Sequence, residues 1–96
     1  MQTVFNVYND PGHAWAKVPL KAIADVGLTE GHFTSYSYRR GGNLYLEEDG
    51  DLALFAKTFL AKLGFKPHWR ESHSNSQSKI RGYDSVRADP ALQVRP

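Results

Sequence analysis

Residues 51–64 read DLALFAKTFLAKLG, and their spacing decides the fold. Leu52, Phe55, Ala56, Phe59, Leu60 and Leu63 recur at i, i+3, i+4, i+7, i+8 and i+11, the stripe that one helix face presents to a core. Lys57 and Lys62 fall off the stripe, and Lys62 lies near the negative end of the helix dipole. Gly64 is the residue expected to leave the helix in the left-handed conformation, with Phe65 placed to touch Leu60 across it. Asp49 or Asp51 stands where a carboxylate caps a first turn, accepting backbone N–H bonds at the positive end of the dipole. A helix with one apolar face needs a second layer to bury it, and the flanking segments must supply it.

On the N-terminal side, residues 3–8 (TVFNVY) are β-branched and aromatic and predict a strand. Asn9-Asp10-Pro11-Gly12 is a turn, because Pro presets one position and Gly relieves another. Residues 14–18 then return as the second strand of a hairpin. Pro19 suits the start of a short helix, since its missing N–H would be unpaired there in any case. Leu20, Ile23 and Ala24 share a face of that helix, and Gly27 ends it. Residues 32–39 (HFTSYSYR) predict a strand, Arg40-Gly41-Gly42-Asn43 a turn, and residues 44–47 its partner strand. Beyond the second helix, residues 65–72 (FKPHWRES) predict a last strand, at an edge because Pro67 lacks a donor. Residues 72–78 form a polar loop, and residues 79–86 lie extended or form a short strand.

The order β-β-α-β-β-α-β implies an α+β two-layer sandwich, with a mostly antiparallel sheet carrying both helices on one face. The other face would be partly open, which suits a binding surface. Residues 1–87 are expected to form one domain. Residues 88–96, with two prolines and no periodicity, are expected to be a flexible C-terminal tail.

Ninety-six residues, 41% of them hydrophobic, suffice for one small core. The chain has no Cys, which excludes disulfides, thiolate metal sites and a Cys nucleophile. No stretch carries a secretory signature or approaches the roughly 20 apolar residues that span a bilayer. The expected location is therefore cytoplasmic, away from membranes.

The net charge of +2 conceals a segregation. Glu47-Glu48-Asp49-Gly50-Asp51 is an acidic knot, whereas residues 66–87 carry Lys66, Arg70, Lys79, Arg81 and Arg87 against Glu71 and Asp84. Basic residues interleaved with rings and hydroxyls are the footprint of a surface that meets phosphates or an acidic partner. Arg70, Lys79, Arg81 and Arg87 would contact phosphates, with Ser72, Ser74, Ser76 and Ser78 adding hydrogen bonds. Trp69 or Tyr83 would stack on a base. The plain alternative is a solvated edge and a polar loop. Tyr36 and Tyr38, with Arg39 and Arg40 beside them, read either as a stacking platform or as tyrosines packed under the helices, the commoner fate of such rings.

The acidic knot lacks the spacing of an EF-hand loop, and capping accounts for Asp49 and Asp51 without a metal. No pair of histidines has zinc-binding spacing, and neither a nucleophile elbow nor a phosphate-binding glycine loop is present. His68 and His73 beside Lys79 are the one nearby set for a metal-free nuclease. No cofactor is implied, and the expectation is binding without catalysis.

Four blocks carry a resemblance: DPGHAWAKVP at 10–19, TSYSYRRG at 34–41, LYLEEDGDLALF at 44–55 and SKIRGYDSVR at 78–87. Together they resemble a family of small proteins from bacteriophages and mobile elements, similar in size and lack of Cys to small anti-CRISPR proteins. The resemblance implies docking on a CRISPR–Cas effector complex, its Cas proteins and guide RNA, in the bacterial host cell, and a block on target DNA binding. The expected contacts are Arg70, Lys79, Arg81 and Arg87, then Arg39, Arg40, Trp69 and Tyr83. The alternative is a small accessory protein that binds single-stranded DNA or RNA directly.

Overall fold

The apolar positions in the strands of this chain alternate, and the alternation sorts side chains onto two faces of one sheet. The computed structural model describes residues 1–93. Its strands are β1 (Val4–Asn9), β2 (Ala14–Pro19), β3 (Tyr38–Arg40), β4 (Asn43–Glu47), β5 (His68–His73) and β6 (Asp84–Ser85). Its helices are α1 (Leu20–Asp25) and α2 (Asp51–Leu63), with short 3-10 turns at Glu30–His32, Lys79–Gly82 and Pro90–Leu92. The sheet order is β5-β1-β2-β4-β3-β6. The pairing of β1 with β5 is parallel, and the other four pairings are antiparallel.

On the inner face, Phe5, Val7, Ala16, Val18, Leu44 and Leu46 pack beneath Ala22 and Ile23 of α1 and Phe55 and Phe59 of α2. The Phe5 ring meets Phe55 and Phe59 edge-on, with centroids 5.2 and 6.1 Å apart. Such rings contribute area burial and about 0.5–1.5 kcal/mol per pair beyond it. The molecule is thus an α+β arrangement with a mixed, mostly antiparallel sheet and both helices on one side. None of its described helices is long and apolar enough to cross a membrane.

Local chemistry accounts for the connections. Between β3 and β4, Gly41 and Gly42 both have positive φ, 56° and 82°, as the tightest hairpin turns require. Gly64 leaves α2 with φ 81°, and its N–H donates to the Leu60 carbonyl.

Several expectations are corrected. Leu60 is exposed at the margin of the α2 stripe, and Phe65 packs edge-on against Phe59. Neither Asp49 nor Asp51 caps α2. The Glu47 carboxylate does so from the end of β4, accepting the N–H groups of Asp49, Gly50 and Asp51. Asp51 is turned away and fully buried, where it accepts from the Thr34 N–H and from the Thr34 and Ser37 hydroxyls. That anchorage is why residues 32–39 are not one strand. Their first part turns over the α2 N-terminus, burying Phe33 and Ser37, and pairing begins only at Tyr38.

The tyrosines are not beneath the helices. Tyr36 is 78% exposed, and Tyr38 lies on the outer face beside Trp15. Residues 84–85 add a sixth strand. Of the segment expected as a tail, Asp89 donates its N–H to the Gly31 carbonyl, and the Gln93 amide donates to the Gly31 and Phe33 carbonyls. Its residues 94–96 lie outside the described residues.

The inner face predicts a graded response to truncation. Phe55→Ala should cost about 3–5 kcal/mol in urea denaturation, as deletion of a buried ring usually does. Leu60→Ala, at an exposed position, should cost under about 1 kcal/mol.

Candidate functional site

The outer face of the sheet carries a second cluster, Trp15, Tyr45 and Ile80, flanked by Tyr8, Tyr38 and Tyr83. Residues 78–83 lie across it as a strap. The strap is fastened at Asp10, whose side chain has no solvent exposure. Asp10 Oδ1 accepts from the N–H groups of Gly12 (3.0 Å) and His13 (2.9 Å), fixing the β1–β2 turn. The same oxygen accepts from Arg81 Nη2 at 2.9 Å, and Oδ2 accepts from Arg81 Nε at 2.8 Å and the Ser78 N–H at 3.0 Å. A forked guanidinium on a carboxylate is a strong, directional hydrogen-bonding arrangement. Arg81 holds the Asp10 carboxyl well below the ordinary carboxylate range. The Ser78 N–H adds to this, and the Gly12 and His13 N–H groups contribute further against the opposing effect of burial. The Arg81 guanidinium also lies 5.3 Å from the Trp15 ring centroid.

The strap divides the outer face into two depressions. The smaller, about 210 Å³, is bounded by Tyr8, Lys17, Tyr45, Lys79, Ile80 and Tyr83. Register extends its basic character, because Lys17 is opposite Asn6, and Asn6 is opposite Arg70. Two strand spacings place Arg70 about 10 Å from Lys17 on this face. Arg40 closes the other side, its guanidinium 4.9 Å from the Tyr83 centroid. Burial pushes the Tyr45 hydroxyl above its ordinary pKa, and its neighbours Tyr83 and Tyr8 add to the rise while Arg40 opposes it. The larger depression, about 660 Å³, lies on the far side of the strap, near the start of α2.

The structure therefore separates the residues singled out from sequence. Arg70, Lys79, Arg40 and Tyr83 converge on the outer face around the smaller depression. Arg81 is engaged by Asp10. Arg39 is paired with Glu30 at 2.8 Å, and the Arg87 N–H donates to the same carboxylate. Arg39 through its side chain and Arg87 through its backbone thus both meet Glu30. Trp69 is on the helix side, its ring 5.9 Å from that of Phe5. The Ser78 hydroxyl accepts from the Ile80 N–H, and Ser74 and Ser76 bond to one another. His68 and His73 lie at opposite ends of β5, five positions apart and so on opposite faces, roughly 16 Å from one another. The sequence reading missed Lys17, Tyr8 and Tyr45. Lys17 was legible, because it lies two residues after Trp15 in a strand and must share its face.

No protein-family model, curated protein or solved structure matches the chain.

The Asp10 fastening makes stability depend on pH with a definite sign. Its folded pKa lies below the unfolded value of about 3.9, so the ionised form favours folding. The contribution is complete above about pH 5 and is lost as pH falls toward the folded pKa. The urea midpoint of the wild type should exceed that of Asp10→Asn at pH 7, and the gap should narrow at about pH 2.5. Arg81→Ala should lower the midpoint at pH 7 more than Arg39→Ala, because it leaves a fully desolvated carboxylate without its cation.

Proposed function

We propose that this protein acts by binding, docking the basic outer face of its sheet on the phosphate backbone within a CRISPR–Cas effector complex and so blocking target DNA. The observation that carries the reading is the convergence of Lys17, Lys79, Arg70 and Arg40 with Tyr8 and Tyr83 on one side of the sheet. Cations beside rings suit a phosphate chain whose bases stack on aromatic groups. The choice of a CRISPR–Cas complex as the setting rests on the resemblance to small phage and mobile-element proteins, and it places the protein in the bacterial host cytoplasm. A net charge of only +2 favours a shaped, partner-specific surface over indiscriminate attraction to nucleic acid.

In this reading Arg70, Lys79, Lys17 and Arg40 meet phosphates, and Tyr83 is the ring offered to a base. Arg81 holds the strap in position, and Arg39 and Arg87 form a secondary group around Glu30. Attraction of this kind raises association rates and makes binding sensitive to salt. A second reading, a small accessory protein for single-stranded DNA or RNA, is favoured by the same pairing of rings and cations and needs no protein partner.

Phage plating on CRISPR-immune hosts of several types, with and without the protein expressed, tests the first reading. Plating should be restored in at least one type and lost again in a Lys17→Glu, Arg70→Glu, Lys79→Glu variant that remains folded. Unchanged plating in every type would sink it. The second reading instead expects naked oligonucleotides to bind, with an affinity that falls with salt at a log–log slope of about −3 for four neutralised phosphates on a single strand.

A further inference from the structure

The larger depression differs in chemistry from the basic one across the strap. Its walls include the rings of Trp15, Tyr36 and Tyr38, and its rim the carboxylates Glu47 and Asp49. Its volume of about 660 Å³ falls in the range of small-ligand pockets, and it is open to solvent on one side. Trp15 lies opposite Glu47 across the β2–β4 ladder, so a ring and a carboxylate stand side by side on this face. Trp15 and Tyr38 meet edge-on at 6.1 Å, while Tyr36 projects from the preceding turn with 78% of its surface exposed.

Among the described residues Arg81 is the one Lys or Arg in the lining, and Asp10 already matches its charge through two hydrogen bonds. Glu47 is held in place by the three N–H groups at the start of α2, whereas Asp49 is exposed beside it. The fixed charge left over in the groove, beside His13, is thus the negative charge of the carboxylates, and it stands near the exposed ring of Tyr36. An anion or phosphate is repelled there. A guanidinium or alkylammonium is attracted twice, by the carboxylates and by the negative faces of the rings.

We propose that this groove is a second binding site, which takes the cationic side chain of an Arg or Lys displayed by a partner protein. Tyr36 and Tyr38 flank the aliphatic stem and the charged head, and Asp49 with Glu47 faces the head. The site is independent of the phosphate-binding reading, because its ligand carries no phosphate. With both sites, the outer face opposes its cations to phosphates on one side of the strap and its carboxylates to a protein's cations on the other.

The test is a titration of the full chain, observed by NMR, with a Gly-Ser peptide bearing one central Arg and with the same peptide bearing neutral citrulline. The Arg peptide should shift the Trp15 indole N–H and the Gly50 amide, and citrulline should bind at least fivefold more weakly. Asp49→Asn and Tyr36→Ala, both at exposed positions and so expected to fold, should each weaken the Arg peptide at least threefold. Lys17→Glu should leave it unchanged. Equal affinity for citrulline, or shifts confined to the Lys17–Lys79 side, would overturn the assignment. So would a groove that ignores the Arg peptide and responds instead to cytidine, which would make it a pocket for a base.

Discussion

A single carboxylate organises the outer half of this protein. Asp10 sits in the turn of the first hairpin, and its two oxygens receive five hydrogen bonds, from Gly12, His13, Ser78 and two nitrogens of Arg81. A buried carboxylate is costly unless its lone pairs are met by donors and its charge by a cation. Here both conditions hold only when a segment some seventy residues downstream lies across the sheet. The strap would otherwise be a polar, glycine-containing stretch with little apolar surface of its own. Ile80 supplies its one fully buried hydrophobic anchor, against Trp15 and Tyr45. The fastening and the anchor together turn an open sheet face into two depressions of different character.

A pair of carboxylates does the equivalent for the inner half. Glu47 ends β4 and caps α2, while Asp51 begins α2 and secures the turn at residues 34–37. Ser37 links them, donating to Asp51 and accepting the Glu47 N–H. The sheet, the helix start and the turn before β3 are therefore joined by one hydrogen-bonded network. Negative charge at the helix N-terminus is favourable in any case. The network uses it additionally to set where Phe55 and Phe59 enter the core, and where Tyr36 is presented to solvent.

What could be read from the chain follows the range of the interactions. The α2 stripe, the two hairpins and the glycine turns are encoded by neighbours a few residues apart, and these were legible. The layer assignment followed from the stripe, because an amphipathic helix must cover a sheet. Most of the misreadings involve contacts between distant segments. Residues 32–39 have the composition of a strand, yet Asp51 bends the first part of them into a turn. Arg81 looks like a free surface cation until Asp10 is known to face it, and Trp69 looks like an exposed ring until Phe5 is known to lie beneath it. Lys17 is a lone lysine in an apolar strand, remote in sequence from the basic C-terminal segment. Only the strand register brings Lys17 into line with Arg70.

The segregation of charge visible in sequence therefore survives in space, but with different members. Of the acidic knot, Glu47 and Asp51 are drawn into capping and burial, which leaves Glu48 and Asp49 to solvent. Of the basic segment, Arg81 is neutralised within the fold, while Arg70 and Lys79 remain outward and gain Lys17 and Arg40 from elsewhere in the chain. The strap that consumes one arginine thereby sets the boundary between the two kinds of surface. On its β1 side cations stand beside tyrosines, and on its α2 side carboxylates do. A face built this way has an electrostatic direction, and that direction restricts the orientations in which a charged partner can approach it.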